Sequence, residues 1–376
     1  MLAEEIHNAG EPVTLRGCIQ KVATGPEYSK DLSYEEARTA MELILSGRAE
    51  AVQAAVFLVA LRMKRETDEE NKGILQAIMD AAGTVTAPVD ELVDVADPYD
   101  GYTKCLPASP FVPPVLAACG LPAVSHGVDS VGPKYGATHR KVLSAAGLNV
   151  DLTPAAAAEQ IGQAESGWAY LDQRAFCPQL HDLVPLRRSI VKRPVLTTVE
   201  VLVGPVRARR RTHLLTGYVH KAYPRVYAML ARHAGFDSAV IVRGVEGGIT
   251  PSLQQPANVF HYRDRGEEQL EPADPTRLGI DRNSRAVAVP KDLPAAAARD
   301  DNIATGVDAD AVAAAAAEAG LAALSGQTGA TRDSLVYSAA LCLYHTGRCD
   351  SLQSAAEAAR KALDSGAALA RFKAAM

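Results

Sequence analysis

From about Glu91 onward the chain alternates between short β-prone runs and longer helix-prone stretches, and this alternation constrains its fold more than any other feature. The β-prone runs include Leu92 to Val95, Pro122 to Val124, Val199 to Val203 and Ala239 to Val242. Between them lie Ala137 to Ala146, Ala155 to Ala164 and Arg225 to His233, all suited to helix. Strands joined through helices run parallel, and the helices cover the sheet. Sites in such sheets form in the loops beyond the carboxyl ends of the strands.

The first ninety residues carry a different pattern. Ser33 and Glu36 have the spacing of a capping box, followed by Met41, Leu43, Ile44 and Leu45 and a stop at Gly47. A second helical run begins at Ala49 with Val52, Val56, Val59 and Leu61, and a third at Asp68 with Ile74, Ile78 and Met79. The expectation is an α/β fold, a mainly parallel sheet flanked by helices over residues 91–376. A smaller all-helical N-terminal domain covers residues 1–90, with some later helices free to return to it. The alanine-rich stretch Pro294 to Leu324 reads either as a helix with a solvated face or as a long connection. The chain closes on a helix, Leu352 to Leu363, ended at Gly366.

A length of 376 residues suits two domains, and 48% hydrophobic content excludes a mainly disordered chain. The formal net charge is −5, so any nucleic-acid contact must rest on a local basic patch. The six cysteines form no C-x-x-C pair, which points to free thiols in a reducing compartment. The start, Met1 to Glu5, does not read as a signal peptide, and the apolar run Ala54 to Leu61 is far short of the roughly 20 residues that span a bilayer. A cytoplasmic protein with no membrane partner is expected.

The order of motifs resembles the anthranilate phosphoribosyltransferase family, of nucleoside-phosphorylase-like fold. Asp31-Leu-Ser-Tyr-Glu-Glu-Ala and Leu58-Val-Ala-Leu-Arg-Met-Lys64 are similar to its N-terminal helices. Ser125-His126-Gly127 and Ser130-Val131-Gly132-Pro133-Lys134-Tyr135-Gly136 are similar to its lysine-histidine-glycine and serine-lysine-serine-glycine loop. Val142 to Gly147, the spacing of Arg187 and Arg193, the Gly204-Pro205 turn, Asp350-Ser-Leu and Asp364-Ser365-Gly366 extend the match over nearly the whole chain.

The resemblance implies a pentosyl transfer from a phosphoribosyl donor to an acceptor the sequence does not name. It further implies a homodimer packed through the N-terminal helices, with Val56 and Leu58 in the contact. Asp100, Gly101, His126, Gly127, Lys134, Arg187 and Arg193 fall at its substrate-binding positions, with the two arginines facing the aromatic acid. His126 reads alternatively as a histidine that caps its strand, Lys134 as a solvated lysine, and the arginines as cover for a helix surface.

Departures from the family pattern bear on activity. Where the family has Gly-Thr-Gly-Gly-Asp-Gly, this chain has Asp97-Pro98-Tyr99-Asp100-Gly101, in which a proline removes one N–H and Asp97 adds a charge that would repel phosphate. The family's Asn-Ile-Ser-Thr is replaced by Leu106-Pro107-Ala108-Ser109. Its Asp-Glu pair, which holds Mg²⁺, is reduced to Glu246 within Arg243 to Thr250. A single carboxylate can still hold Mg²⁺ through substrate phosphates.

A second reading starts from the basic stretch Arg187 to Arg211, which holds one acid, Glu200. The altered loops are similar to those of a divergent branch of the family, which looks like a set of nucleic-acid-binding homodimers lacking the ordinary transferase activity. In that alternative Arg207, Arg209, Arg210 and Arg211 grip a polyanion, with Tyr218, Tyr223 and Tyr227 as stacking partners. The acidic Asp300 to Gly306 segment superficially fits a motif of an unrelated phosphoribosyltransferase fold. The helix-prone run before it, Ala295 to Arg299, makes chance the better account.

Overall fold

The computed structural model describes residues 13–25, 27–297 and 306–376; the opening Met1 to Glu5 and most of the Asp300 to Gly306 segment lie outside them. The strands are β1 (Val85–Thr86), β2 (Glu91–Ala96), β3 (Ala123–Gly127), β4 (Trp168–Asp172), β5 (Val206–Arg207), β6 (Arg211–Gly217), β7 (Ser238–Val242), β8 (Val259–Tyr262) and β9 (Gln269–Leu270). Strands β1 and β5 form a small parallel pair, and the other seven form one sheet in the order β4-β3-β2-β6-β7-β8-β9. Its first five strands are parallel, while β8 and β9 add antiparallel at one edge.

Alternation within the strands divides the core in two. Leu92 and Ala96 of β2 join Val124, Leu171, Leu214 and Ile241 on the face covered by the N-terminal helices. Val93 and Val95 join Ala123, Trp168, Leu215 and Val240 on the other face, under the C-terminal helices. Every residue of β3, β4 and β7 is buried, the pattern of parallel strands covered on both sides.

The helical unit forms as its caps dictate. Ser33 accepts from the Glu36 N–H and the Glu36 carboxylate accepts from the Ser33 N–H, starting the helix Tyr34–Leu45. Thr67 and Glu70 do the same for Asp68–Ala81. Helices Val184–Ile190 and Leu196–Val199 pack back onto Ala51–Lys64 and Asp68–Ala81, so the α/β part and the helical part share a wall.

Two local expectations need correction or completion. Val199 to Val203 is not a strand: it closes the helical turn Leu196–Val199 and continues as the 3-10 turn Glu200–Leu202. Leu196, Val199, Glu200, Val201 and Leu202 are all buried there, so the alternation of Val199, Glu200 and Val201 that reads as a strand does not mark an inner and an outer face. Within the alanine-rich stretch, Ala309–Leu324 is a helix capped by Asp308, and the C-terminal pattern continues past Gly366 as Ala367–Ala374.

Candidate active site

The register of the parallel strands sets Ala96 beside Thr216, Gly217 beside Val242 and Gly127 beside Asp172, so the loops that leave β2, β3, β6 and β7 converge. Between them and the N-terminal helices opens a cleft of about 150 Å³, lined by Asp100, Lys134, Arg193, Tyr218, Tyr223, Glu246 and, from the helical unit, Arg62.

The loop after β2 is anchored from behind. The buried Asp97 accepts hydrogen bonds at Oδ2 from the Tyr102 hydroxyl (2.7 Å), the Ser109 hydroxyl (2.6 Å) and His139 Nε2 (2.9 Å), and at Oδ1 from the Ile249 N–H (2.9 Å). Burial pushes this carboxyl up, but His139, Ser109 and Tyr102 outweigh it and hold it below the ordinary carboxylate value. The expected repulsion between Asp97 and a phosphate therefore has no place in the cleft: its charge is compensated within the protein. Ser109, where the family has its hydroxyl-rich segment, serves the same anchor.

Asp100 does face the cleft. Its Oδ2 accepts from Arg193 Nη2 at 2.7 Å, and its Oδ1 lies 3.2 Å from Lys134 Nζ. Lys134 also donates to the Gly101 carbonyl at 2.6 Å and stands 3.9 Å from Glu246 Oε2. Gly101 adopts φ 73°, and a Cβ there would come within 2.7 Å of the Ala137 carbonyl oxygen, so the loops after β2 and β3 close on each other only with glycine.

Glu246 reaches across from the loop after β7. Its carboxylate accepts from the Lys104 N–H (2.7 Å), the Thr103 N–H (3.2 Å) and the Thr103 hydroxyl (3.2 Å). The residue holds a left-handed backbone (φ 52°, ψ 15°), which costs a non-glycine residue on the order of 1 kcal/mol. Around it the chain is tight: a Cβ on Gly244 would lie 1.6 Å from the Gly248 carbonyl oxygen.

Other candidates lie beneath the cleft rather than in it. His126 sits within β3, 1% exposed, with Nε2 2.7 Å from Asp94 Oδ1 and Nδ1 against the Tyr99 hydroxyl. Burial, helped by Glu200 and Asp94, keeps that phenol protonated, so it donates to Nδ1 and leaves the Nε2 proton for Asp94. Gly127 ends the same strand. Arg187, on Val184–Ile190, is 2% exposed and makes two parallel hydrogen bonds to Glu200, at 2.6 and 2.7 Å. Val191, left-handed at φ 62°, ends that helix, and two residues later Arg193 stands at the cleft with 45% of its side chain exposed.

The arginines of the polyanion alternative lie at the opposite end of the sheet, before and at the start of β6. Arg209 and Arg210 are exposed and Arg211 pairs with Glu91 at 2.8 Å. Arg207 does not join them. Its guanidinium stacks on the Phe236 ring at 4.3 Å, donates to the Val203 and Ala234 carbonyls, and has its pKa lowered by burial. The tyrosines line the cleft instead: Tyr218 follows the last residue of β6, so the strand's length separates the two groups.

Sequence reasoning missed three participants: Arg62, which donates to the Tyr223 hydroxyl at 2.7 Å on the cleft wall, Asp94 and Glu200. Glu200 left a signal, as the lone acid in a stretch of arginines. Arg62 left only its place in a matched helix.

Mg²⁺ does not fit the protein groups as arranged. Asp100 and Glu246 already flank the Lys134 ammonium, and among the described residues no group of three or more acidic, histidine or cysteine side chains could hold a metal ion.

Comparison with known proteins places the chain in a family. The helical-bundle domain of the glycosyl transferase family matches residues 16–82, and the family's α/β domain matches residues 105–369. An anthranilate phosphoribosyltransferase from Sphingopyxis alaskensis is 31% identical over 343 residues, 91% of this chain and 95% of the relative. The chain belongs to the anthranilate phosphoribosyltransferase-like glycosyl transferase family. Another member of that family, the anthranilate phosphoribosyltransferase of Bradyrhizobium diazoefficiens, is 29% identical over 96% of this chain and 97% of the relative. The fold is also that of the Thermus thermophilus anthranilate phosphoribosyltransferase, with a TM-score of 0.69 at 23% identity over 96% of this chain and 97% of that one. The Saccharomyces cerevisiae enzyme, solved in complex with phosphoribosyl pyrophosphate and Mg, gives 0.73 at 16% identity, covering 96% of each chain.

Proposed function

We propose that the cleft binds a phosphoribosyl donor and that the protein is a divergent pentosyl transferase acting on an acceptor other than anthranilate. The observation that carries this reading is the placement of Lys134, Arg193 and Arg62 around one cleft at the carboxyl ends of the parallel strands, in a chain of this family. In such a transfer the bond from ribose C1 to the pyrophosphate oxygen breaks and a bond from C1 to the acceptor forms, so negative charge grows on the leaving group. Cations held in place beforehand stabilise that charge, and no covalent nucleophile is required. Because the protein carboxylates are engaged by Lys134, any Mg²⁺ would arrive with the donor's phosphates, held by them more than by Glu246.

The acceptor differs from anthranilate on this reading because, of the two arginines the resemblance sets against an aromatic carboxylate, Arg187 is buried and matched by Glu200 and Arg193 is paired with Asp100. The cleft supports this reading over nucleic-acid binding, since its tyrosines and the exposed Arg209 and Arg210 do not share a face. Calorimetric titration with phosphoribosyl pyrophosphate and Mg²⁺ should give a saturable heat; silence at millimolar donor would overturn the proposal.

A homodimer belongs to the same reading. Helix Ala51–Lys64 exposes Val52 (75%), Val56 (42%) and Met63 (78%) along one side, with Val59 half-buried between them. Leu58 is wholly buried in the helical unit's own core and takes no part. Val56→Asp with Met63→Asp should convert a sedimenting dimer to monomer; an unchanged sedimentation coefficient would remove this contact. Among the described residues no helix is long and apolar enough to cross a membrane. The proposed compartment is the cytoplasm, supported by six free cysteines.

A further inference from the structure

The Glu246 carboxylate is held the way a bound anion is held. Two successive backbone N–H groups, of Thr103 and Lys104, point at it, the Thr103 hydroxyl adds a third donor, and the Lys134 ammonium stands 3.9 Å away. Consecutive N–H groups beside a lysine make a receptor for a phosphate-class group, since such groups offer several acceptor oxygens and two or more negative charges. The receptor belongs to the loop after β2 and its occupant to the loop after β7, more than 140 residues away, so the two can part without breaking a strand. Glu246 lines the cleft and holds a left-handed backbone that favours glycine, so its present pose is maintained by these donors rather than by local preference.

We propose that Glu246 is a tethered anion occupying a phosphate subsite, and that a ligand phosphate must displace it from Thr103, Lys104 and Lys134. The inference rests on reading the cleft as a donor site, and it adds that this site is closed by its own carboxylate until a more strongly charged group competes. Selectivity follows: a monoanionic ligand gains nothing by exchanging with Glu246, whereas a pyrophosphate brings more charge and more acceptors to the same donors.

The test is calorimetric titration of the full chain with inorganic pyrophosphate, without metal, for wild type, Glu246→Ala and Glu246→Gln. Glu246→Ala empties the receptor and should bind at least tenfold more tightly than wild type. Glu246→Gln keeps an acceptor for the N–H groups but loses the charge, and should gain less. In Glu246→Ala the amide resonances of Thr103 and Lys104 should shift on adding pyrophosphate. The inference is overturned if Glu246→Ala, folded by its thermal melt, binds no more tightly than wild type, or binds with those two amides unmoved. Should Glu246→Ala not fold, Glu246→Gln decides by the same comparison, and no gain overturns the inference. If Glu246→Ala gains pyrophosphate affinity while phosphoribosyl pyrophosphate binds neither protein, the tethered anion stands and the donor reading falls.

Discussion

Beneath the cleft, Arg187 and Glu200 face each other with both side chains about 1% exposed, whereas at its rim Arg193 reaches Asp100 with 45% of its side chain in solvent. The two arginines lie in the same short stretch, and both have the spacing of family arginines. In the buried layer a charge without a partner is costly, and there Arg187 is paired with Glu200, His126 with Asp94 and Tyr99, and Asp97 with its four donors. At the rim only Arg193 is well solvated, with Asp100, Lys134 and Glu246 between 3% and 12% exposed, but all four line the open cleft and can change partners when a ligand arrives. Matching a family position therefore assigns a residue to a neighbourhood, while burial and pairing decide whether it can still bind.

The sharpest way to break this comparison is to remove one member of each pair. Glu200→Ala leaves a buried guanidinium without its carboxylate and should cost about 3–5 kcal/mol of stability by chemical denaturation. Arg193→Ala should cost under about 1 kcal/mol. Equal losses at the two positions would show that the buried layer and the rim are not distinct.

A smaller effect tests the buried class at the other end of the sheet. His345 bonds Ser238, which also bonds His213, and burial, with Arg263, His261 and His213 nearby, pushes the His345 imidazole down to about 3. Folded, this group stays neutral, while in the unfolded chain it takes up a proton near pH 6.5, so its contribution is complete above that pH and is lost as pH falls toward 3. Between pH 7.5 and 5.5 the loss from this residue is about 1.4 kcal/mol. Urea unfolding should show that extra pH dependence in wild type and not in His345→Gln; equal slopes would mean that the imidazole is solvated in the folded protein.

Much of the fold was legible because its signals are local. The cap at Ser33 starts its helix by short-range hydrogen bonds, and β2 and β7 are short β-prone runs set between helix-prone stretches. The strand expected at Val199 to Val203 failed because Glu200, whose polarity suggests an outward position, is buried against Arg187. Strands β4 and β6 were missed for a related reason. They carry Trp168, Asp172, Arg211 and His213, polar or bulky residues that only a neighbouring strand or helix explains.

The site was less legible. Asp100, Lys134, Arg193 and Glu246 stand at the cleft, and chain order brings out that much through the resemblance. Which charges are spent internally depends on contacts between distant residues: Arg187 on Glu200, Asp97 on His139 and Ile249, Glu246 on Thr103 and Lys104. Arg62 enters the cleft wall only because the helical unit packs over it.

The most direct test compares donor binding in two folded variants. Arg187→Met with Glu200→Leu replaces the buried pair by apolar side chains of similar size, a change that buried pairs often tolerate. Arg193→Ala removes the cation at the rim. Calorimetry with phosphoribosyl pyrophosphate and Mg²⁺ should find the donor affinity of the double variant within about threefold of wild type and that of Arg193→Ala at least about tenfold weaker. Loss of binding in the double variant with full affinity in Arg193→Ala would contradict the account.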